Sequence, residues 1–160
     1  MIEPSGLSRR QTVAGGLSGL AGLTIAASSA RATSDMGKWT AEEKTQVELV
    51  ETFCALWGDK TSTVEQIMGY MTEDCSFKIN GQPATTGAKD VASLFETFFK
   101  GGTRYEMIVH DTFAKGPVVV HSRTDTTIRP DKREEPGPIV GVYVFKDGKI
   151  QEWEEVIYKA

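Results

Sequence analysis

Arg123 and Asp125 lie two residues apart in the run Val118-Val-Val-His-Ser-Arg-Thr-Asp-Thr-Thr-Ile128, and their types suit proton chemistry. A strand turns successive side chains to opposite faces, so the pair shares one face with Val119, His121 and Thr127. Burying a charged pair costs several kcal/mol, roughly, unless it is paired and hydrogen-bonded, so an inward Arg-x-Asp is seldom there for stability alone. The same spacing also reads as an edge-strand ion pair in water, worth about 0 to 1 kcal/mol. A third candidate breaks that tie. In the closing run, alternation puts Trp153, Glu155 and Ile157 on one face and Glu152, Glu154 and Val156 on the other. A carboxylate between Trp and Ile on an apolar face needs an explanation. If both strands line one interior, an arginine fork can hold two carboxyls, one ionised and one protonated, as acid–base chemistry requires. A buried structural ion cluster is the alternative, but ionisable clusters in pockets are a frequent mark of active sites.

The elements that must carry these residues can be read from periodicity. Thr40 with Glu43 forms a capping box, and Val47, Val50, Phe53, Cys54 and Trp57 recur at helical spacing until Gly58. A shorter helix carries Val64, Ile67, Met68 and Met71 on one stripe, and Thr72-Glu-Asp74 reads as a turn. Cys75 to Ile79 alternates as a strand and stops at Asn80-Gly81. A third helix spans about Ala88 to Lys100 with Val91, Leu94, Phe95, Phe98 and Phe99 inward, closed by Gly101-Gly102. From there the pattern is strands only: Arg104 to Phe113, Val118 to Ile128, Ile139 to Phe145 and Ile150 to Tyr158. Arg129 to Pro138 reads as a loop too polar and interrupted to pair, and Asp147-Gly148 as a tight hairpin turn. Three helices followed by a meander predict an α+β fold, a cone of helices on a strongly curved, mainly antiparallel sheet, with one apolar pocket at the open end.

The first 32 residues read as an export signal rather than fold. Ser8-Arg9-Arg10-Gln11 precedes a mildly apolar run, Val13 to Ala27, and Ala30-Arg31-Ala32 is a small-x-small cleavage site, a twin-arginine pattern. Thr12 stands where an aromatic is usual, so a general secretory route stays open. The apolar run is shorter than the roughly 18 residues a membrane span needs. Cleavage after Ala32 predicts a periplasmic product with a flexible start at 33–40 and a single domain over 41–160, with no stable membrane insertion. It leaves 15 Lys and Arg against 21 Asp and Glu, a net charge of −6 in place of −4. An acidic domain without a basic cluster does not suit nucleic acid, so a small uncharged ligand is the expected partner. Cys54 and Cys75 permit one disulfide or two buried thiols, and each sits in an apolar pattern. The two histidines, distant from each other and from the cysteines, give no metal-ligand spacing, so no metal or cofactor is expected.

The run Arg123-Thr-Asp125, then Val140-Gly-Val-Tyr-Val-Phe145, then Asp147-Gly-Lys-Ile150 with Trp153-Glu-Glu155, resembles limonene-1,2-epoxide hydrolase and its relatives in the nuclear-transport-factor-2-like and SnoaL-like superfamily. The resemblance spans roughly Glu42 to Tyr158. It implies that Asp125 acts as the proton donor, Arg123 as the bridge and Glu155 as the base, with Glu155 replacing the family's Asp. The family also holds a water with a Tyr and an Asn on its first strand, where this chain has Phe77 and Ile79; Asn80 is expected on the opposite side. Tyr143, inward by alternation, is a candidate replacement hydroxyl. Phe77, Ile79, His121, Tyr143, Trp153 and Ile157 are therefore expected around a substrate. His121 reads equally as a hydrogen-bonded core residue. The resemblance implies a cofactor-free enzyme, epoxide-hydrolysing or, with the water holders gone, a lyase or isomerase on an apolar alcohol or diol. A non-catalytic exported binder of apolar ligands is the alternative from another class. The superfamily resemblance also implies a homodimer.

Overall fold

The computed structural model describes residues 39–158. The expected leader at 1–32 and most of the 33–40 start lie outside the described residues. Helix α1, Ala41–Gly58, opens on the expected capping box: Thr40 accepts from the Glu43 backbone while the Glu43 carboxylate accepts from Thr40 N at 2.7 Å. The other oxygen of Glu43 accepts from Gly116 N at 2.9 Å, tying the helix start to a distant turn. Helix α2, Val64–Met68, opens on a second box, Thr63 with Gln66, which the sequence reading missed. Helix α3 is Ala88–Phe98, followed by a single 3-10 turn at Lys100–Gly102.

There are six strands, the first two lying between α2 and α3: β1 Met71–Ile79, β2 Thr85–Thr86, β3 Arg104–Lys115, β4 Val118–Ile128, β5 Gly137–Lys146 and β6 Lys149–Ile157. They form one open sheet in the order β2-β1-β6-β5-β4-β3, antiparallel except for the β1–β6 pair. The α+β architecture is as expected, but the sheet is not closed. The helices cover one face, and the main core lies between, with the Phe53 ring edge-on to Trp57, Tyr143 and Trp153.

Three local expectations need correction. Met71 is not on α2, which caps at Gly69; it starts β1 and is buried by the sheet. Thr72-Glu-Asp74 is strand rather than turn: it lies inside β1 at a register shift between Met71 and Ser76, the residues on either side that pair with β6, and Lys146 and Gln151 both donate to the Asp74 carboxylate. Gly137 and Pro138 belong to β5, and Ile128 bridges Arg133, so the supposed loop is partly paired. Proline is tolerated there, at the first turn of a strand, because strand starts need not donate to the ladder. Asn80-Gly81 and Asp147-Gly148 all take positive φ, as their turns demand. Cys54 and Cys75 are free, buried thiols.

Candidate functional site

Strand β4 presents Val119, His121 and Arg123 to the interior, all buried, with Asp125 one step further toward the open end. Cross-strand pairing sets Gly141 of β5 between His121 on one side and Glu155 of β6 on the other. Arg123 thus reaches Glu155 across an intervening strand, and it can do so because the residue there has no side chain. A Cβ built on Gly141 would stand 2.5 Å from His121 Nε2 and 2.6 Å from Arg123 Nη1.

All five N–H groups of the fully buried guanidinium are occupied. Nε donates to Asp125 Oδ1 at 2.6 Å and Nη2 to Asp125 Oδ2 at 2.9 Å. The second Nη2 hydrogen goes to Glu155 Oε1. Nη1 donates to His121 Nε2 at 2.9 Å and to the Tyr143 hydroxyl at 3.1 Å. Because His121 Nε2 accepts, the neutral ring carries its proton on Nδ1, which is buried without a partner. Burial, reinforced by the Arg123 charge, brings the His121 pKa down to about 3, so the ring is neutral in ordinary buffers.

Burial also raises the Glu155 carboxyl above its ordinary value; Arg123 pulls it back and Asp125 adds to the rise. When ionised, Glu155 is therefore a stronger proton acceptor than a solvated glutamate. Beneath the arginine, burial keeps the Tyr143 phenol neutral and pushes Cys54, 3.6 Å from that hydroxyl, up to about 11.

Asp125 and Glu155 open onto a cavity of about 300 Å³ walled mostly by apolar groups, at the lower end of the range for small-molecule sites. Of the residues expected around a substrate, Phe77, Ile79, Trp153 and Ile157 line it. His121 and Tyr143 do not. They lie under the guanidinium and have their hydrogen bonds there, so Tyr143 offers the cavity no hydroxyl. Phe77 pairs across from Trp153 and Ile79 across from Glu155, so the neighbours of that carboxylate on β1 are hydrocarbon. Asn80 is turned away, its Oδ1 accepting from Ile157 N at 2.7 Å.

Sequence reasoning missed Trp57, Tyr105, Thr127 and Glu135 as lining residues. Trp57 read as the last core position of its helix, and a loop residue such as Glu135 follows no periodic pattern. Among the described residues, no group of three or more potential ligands is placed to hold a metal ion, and no helix is long and apolar enough to cross a membrane.

The sequence profile of the SnoaL-like domain matches residues 50–153. Similar solved structures include an LEH-like epoxide hydrolase of M. tuberculosis, 22% identical with a TM-score of 0.64, covering 73% of this chain and 85% of that one. A Jannaschia sp. CCS1 protein provisionally described as a SnoaL-like polyketide cyclase is 19% identical, TM-score 0.63, covering 75% and 90%. A Kribbella flavida DSM 17836 protein provisionally described as a ketosteroid isomerase is 16% identical, TM-score 0.55, covering 74% and 82%. At these identities the likeness is one of fold, the nuclear-transport-factor-2-like fold. No functionally curated protein matches the sequence.

Proposed function

The chain belongs to the SnoaL-like domain family, and from that footing we propose that it is a cofactor-independent general acid–base enzyme acting on a small, mainly apolar molecule. The observation that carries this is one buried guanidinium holding two carboxyls at the wall of an apolar cavity. For turnover the pair must share one proton, with Asp125 in the donor role and Glu155 in the acceptor role that the epoxide hydrolase resemblance implies. Glu155 takes a proton from the substrate while Asp125 gives one to a departing or rearranging oxygen. Arg123 stays bonded to both throughout, stabilising whichever is charged. The start is restored when Glu155 releases the proton it took and Asp125, the more exposed of the two carboxyl side chains at 14%, takes one up, through solvent or a direct transfer between them.

The reaction class this supports best is elimination or isomerisation of an alcohol or diol. Fixing a water for attack takes about three polar partners, and the β1 residues beside Glu155 are Phe77 and Ile79. Epoxide hydrolysis is the second reading, favoured by the Arg-bridged carboxyl pair that the epoxide hydrolase resemblance implies. A panel of epoxides and of aryl alcohols and diols, turned over in ¹⁸O-labelled water, separates the two. Unlabelled product is the expected result, and labelled diol would transfer the assignment to hydrolysis. Asp125→Asn is expected to abolish turnover while sparing ligand binding. Undiminished turnover would overturn the catalytic reading, and a wild-type protein that binds but never converts would be a receptor.

Export and pairing belong to the same proposal. N-terminal sequencing of the periplasmic protein should begin at Thr33. The outer face of the sheet leaves Ile108, Phe113 and Val156 exposed, the kind of surface a second copy would cover, and sedimentation equilibrium tests it.

A further inference from the structure

A guanidinium is a flat fork, and where it directs its charge depends on how the fork is turned. In Arg123 the Nε–Nη2 side faces Asp125 and Glu155. The Nη1 end is held from beneath, by His121 Nε2 at 2.9 Å and the Tyr143 hydroxyl at 3.1 Å. Neither of these two residues lines the cavity, so neither touches a ligand seated in it.

Both acceptors are themselves fixed. His121 and Tyr143 are fully buried, and their rings meet edge to face with centroids 5.1 Å apart. Tyr143 also stacks on Trp153, a wall of the cavity, and stands edge-on to Phe53 of α1. With the His121 Nε2 lone pair taken by Nη1, the Tyr143 hydrogen turns to Cys54 Sγ at 3.6 Å, which leaves an oxygen lone pair for the guanidinium.

Packing alone does not account for this pair. His121 leaves a buried Nδ1 without a partner, a cost that an apolar side chain of similar size would avoid. What the imidazole supplies in exchange is an acceptor without charge, and burial keeps both rings neutral. A carboxylate in either place would draw off part of the Arg123 charge. Two uncharged acceptors satisfy the Nη1 hydrogens and leave that charge to Asp125 and Glu155.

We infer, on the reading of Asp125 and Glu155 as the acid–base pair, that His121 and Tyr143 are positioning residues for it: a two-acceptor cradle that grips the Nη1 end of Arg123 and so keeps one guanidinium turned to both carboxyls at once. Each acts through Arg123 and not on the substrate.

Nitrogen-15 NMR of the purified protein, with no substrate present, reads the cradle directly. Turning the guanidinium about its Nε–Cζ bond exchanges Nη1 with Nη2 and must first break the bonds to His121 and Tyr143. The parent should show Nη1 and Nη2 as separate signals. Tyr143→Phe and His121→Phe should each speed the interchange by at least about tenfold, the worth of one hydrogen bond to a charged group. His121→Gln, which keeps an acceptor at that place, should restore a rate near the parent's. Tyr143→Phe removes a single oxygen, and its rate decides the matter alone if the His121→Phe protein does not fold. Val91→Ala, in the core on α3, loosens packing away from these hydrogen bonds and should leave the rate as it was. The inference is overturned if Nη1 and Nη2 already interchange freely in the parent, if Tyr143→Phe leaves the rate unchanged, if His121→Gln is as fast as His121→Phe, or if Val91→Ala accelerates it equally. None of these spectra needs turnover, so failure here is separate from failure of the acid–base reading, which Asp125→Asn tests.

Discussion

Gly141→Ala adds one methyl group at the point where β5 passes beneath the arginine. Gly141 has no positive φ, so on backbone grounds alone alanine should stabilise the chain by about 0.4–1 kcal/mol through the unfolded state. The site opposes this. The new Cβ would lie 2.5 Å from His121 Nε2, 2.6 Å from Arg123 Nη1 and 2.8 Å from His121 Cδ2, all inside contact distance. The strand is held by β4 and β6 on both sides, so the side chains must yield. Overpacking of this kind costs about 1–3 kcal/mol. If the guanidinium swings away from Glu155, a buried carboxylate is stranded, at about 3–5 kcal/mol. The net is destabilisation at a position where glycine-to-alanine would ordinarily help. In activity, a misplacement near 1 Å costs on the order of a hundredfold in kcat/KM. Glu155 would lose the partner that pulls its pKa down while keeping the burial and the Asp125 charge that push it up. The activity limb that requires ionised Glu155 should therefore move to higher pH. Urea titration and a kcat/KM pH profile read both effects. A variant at least as stable as the parent, with activity within about threefold and an unmoved limb, would refute the account of Gly141 as the gap that lets β4 reach β6.

Three further outcomes follow from the same geometry. Unfolded His121 takes a proton below about 6.5, whereas the folded ring resists until about 3. The unfolded chain thus binds more protons in that window, and stability should fall by a few kcal/mol, roughly, as pH drops through it. Glu155 has the opposite sign: unfolded it ionises near 4.5, folded it holds its proton higher, so its contribution declines as pH rises through the folded value. His121→Gln should flatten the acid-side slope and Glu155→Gln the other, measured by denaturant titration across pH; an unchanged acid slope in His121→Gln defeats the first. Finally, Phe77→Tyr with Ile79→Asn puts polar groups beside Trp153 and Glu155, their partners across the β1–β6 pair. The ¹⁸O label in product should rise, and an unchanged label fraction would show that water is excluded for another reason.

Much was set by residue order alone. Alternation in two strands placed Arg123, Asp125 and Glu155 on inward faces, because a period of two leaves a strand no choice once one face is apolar. The capping box at Thr40, the breaks at Asn80-Gly81 and Asp147-Gly148, and the helices-then-meander order follow from local rules of the same kind. Other features needed the fold. Met71 left its helix to pair with Ile150 of β6, and Thr72 to Asp74 are carried as strand across the register shift between it and Ser76. Tyr143 and His121 shared the inward face with the catalytic candidates but ended beneath the guanidinium, since alternation gives a face and says nothing of depth. Gly141 showed its role only when β4 and β6 were seen to meet across it. Glu135, in an aperiodic loop, reached the cavity through the path of the chain around Gly137. Spacing determined which side chains could meet; the packing of strands not adjacent in sequence decided which of them do, and what stands between.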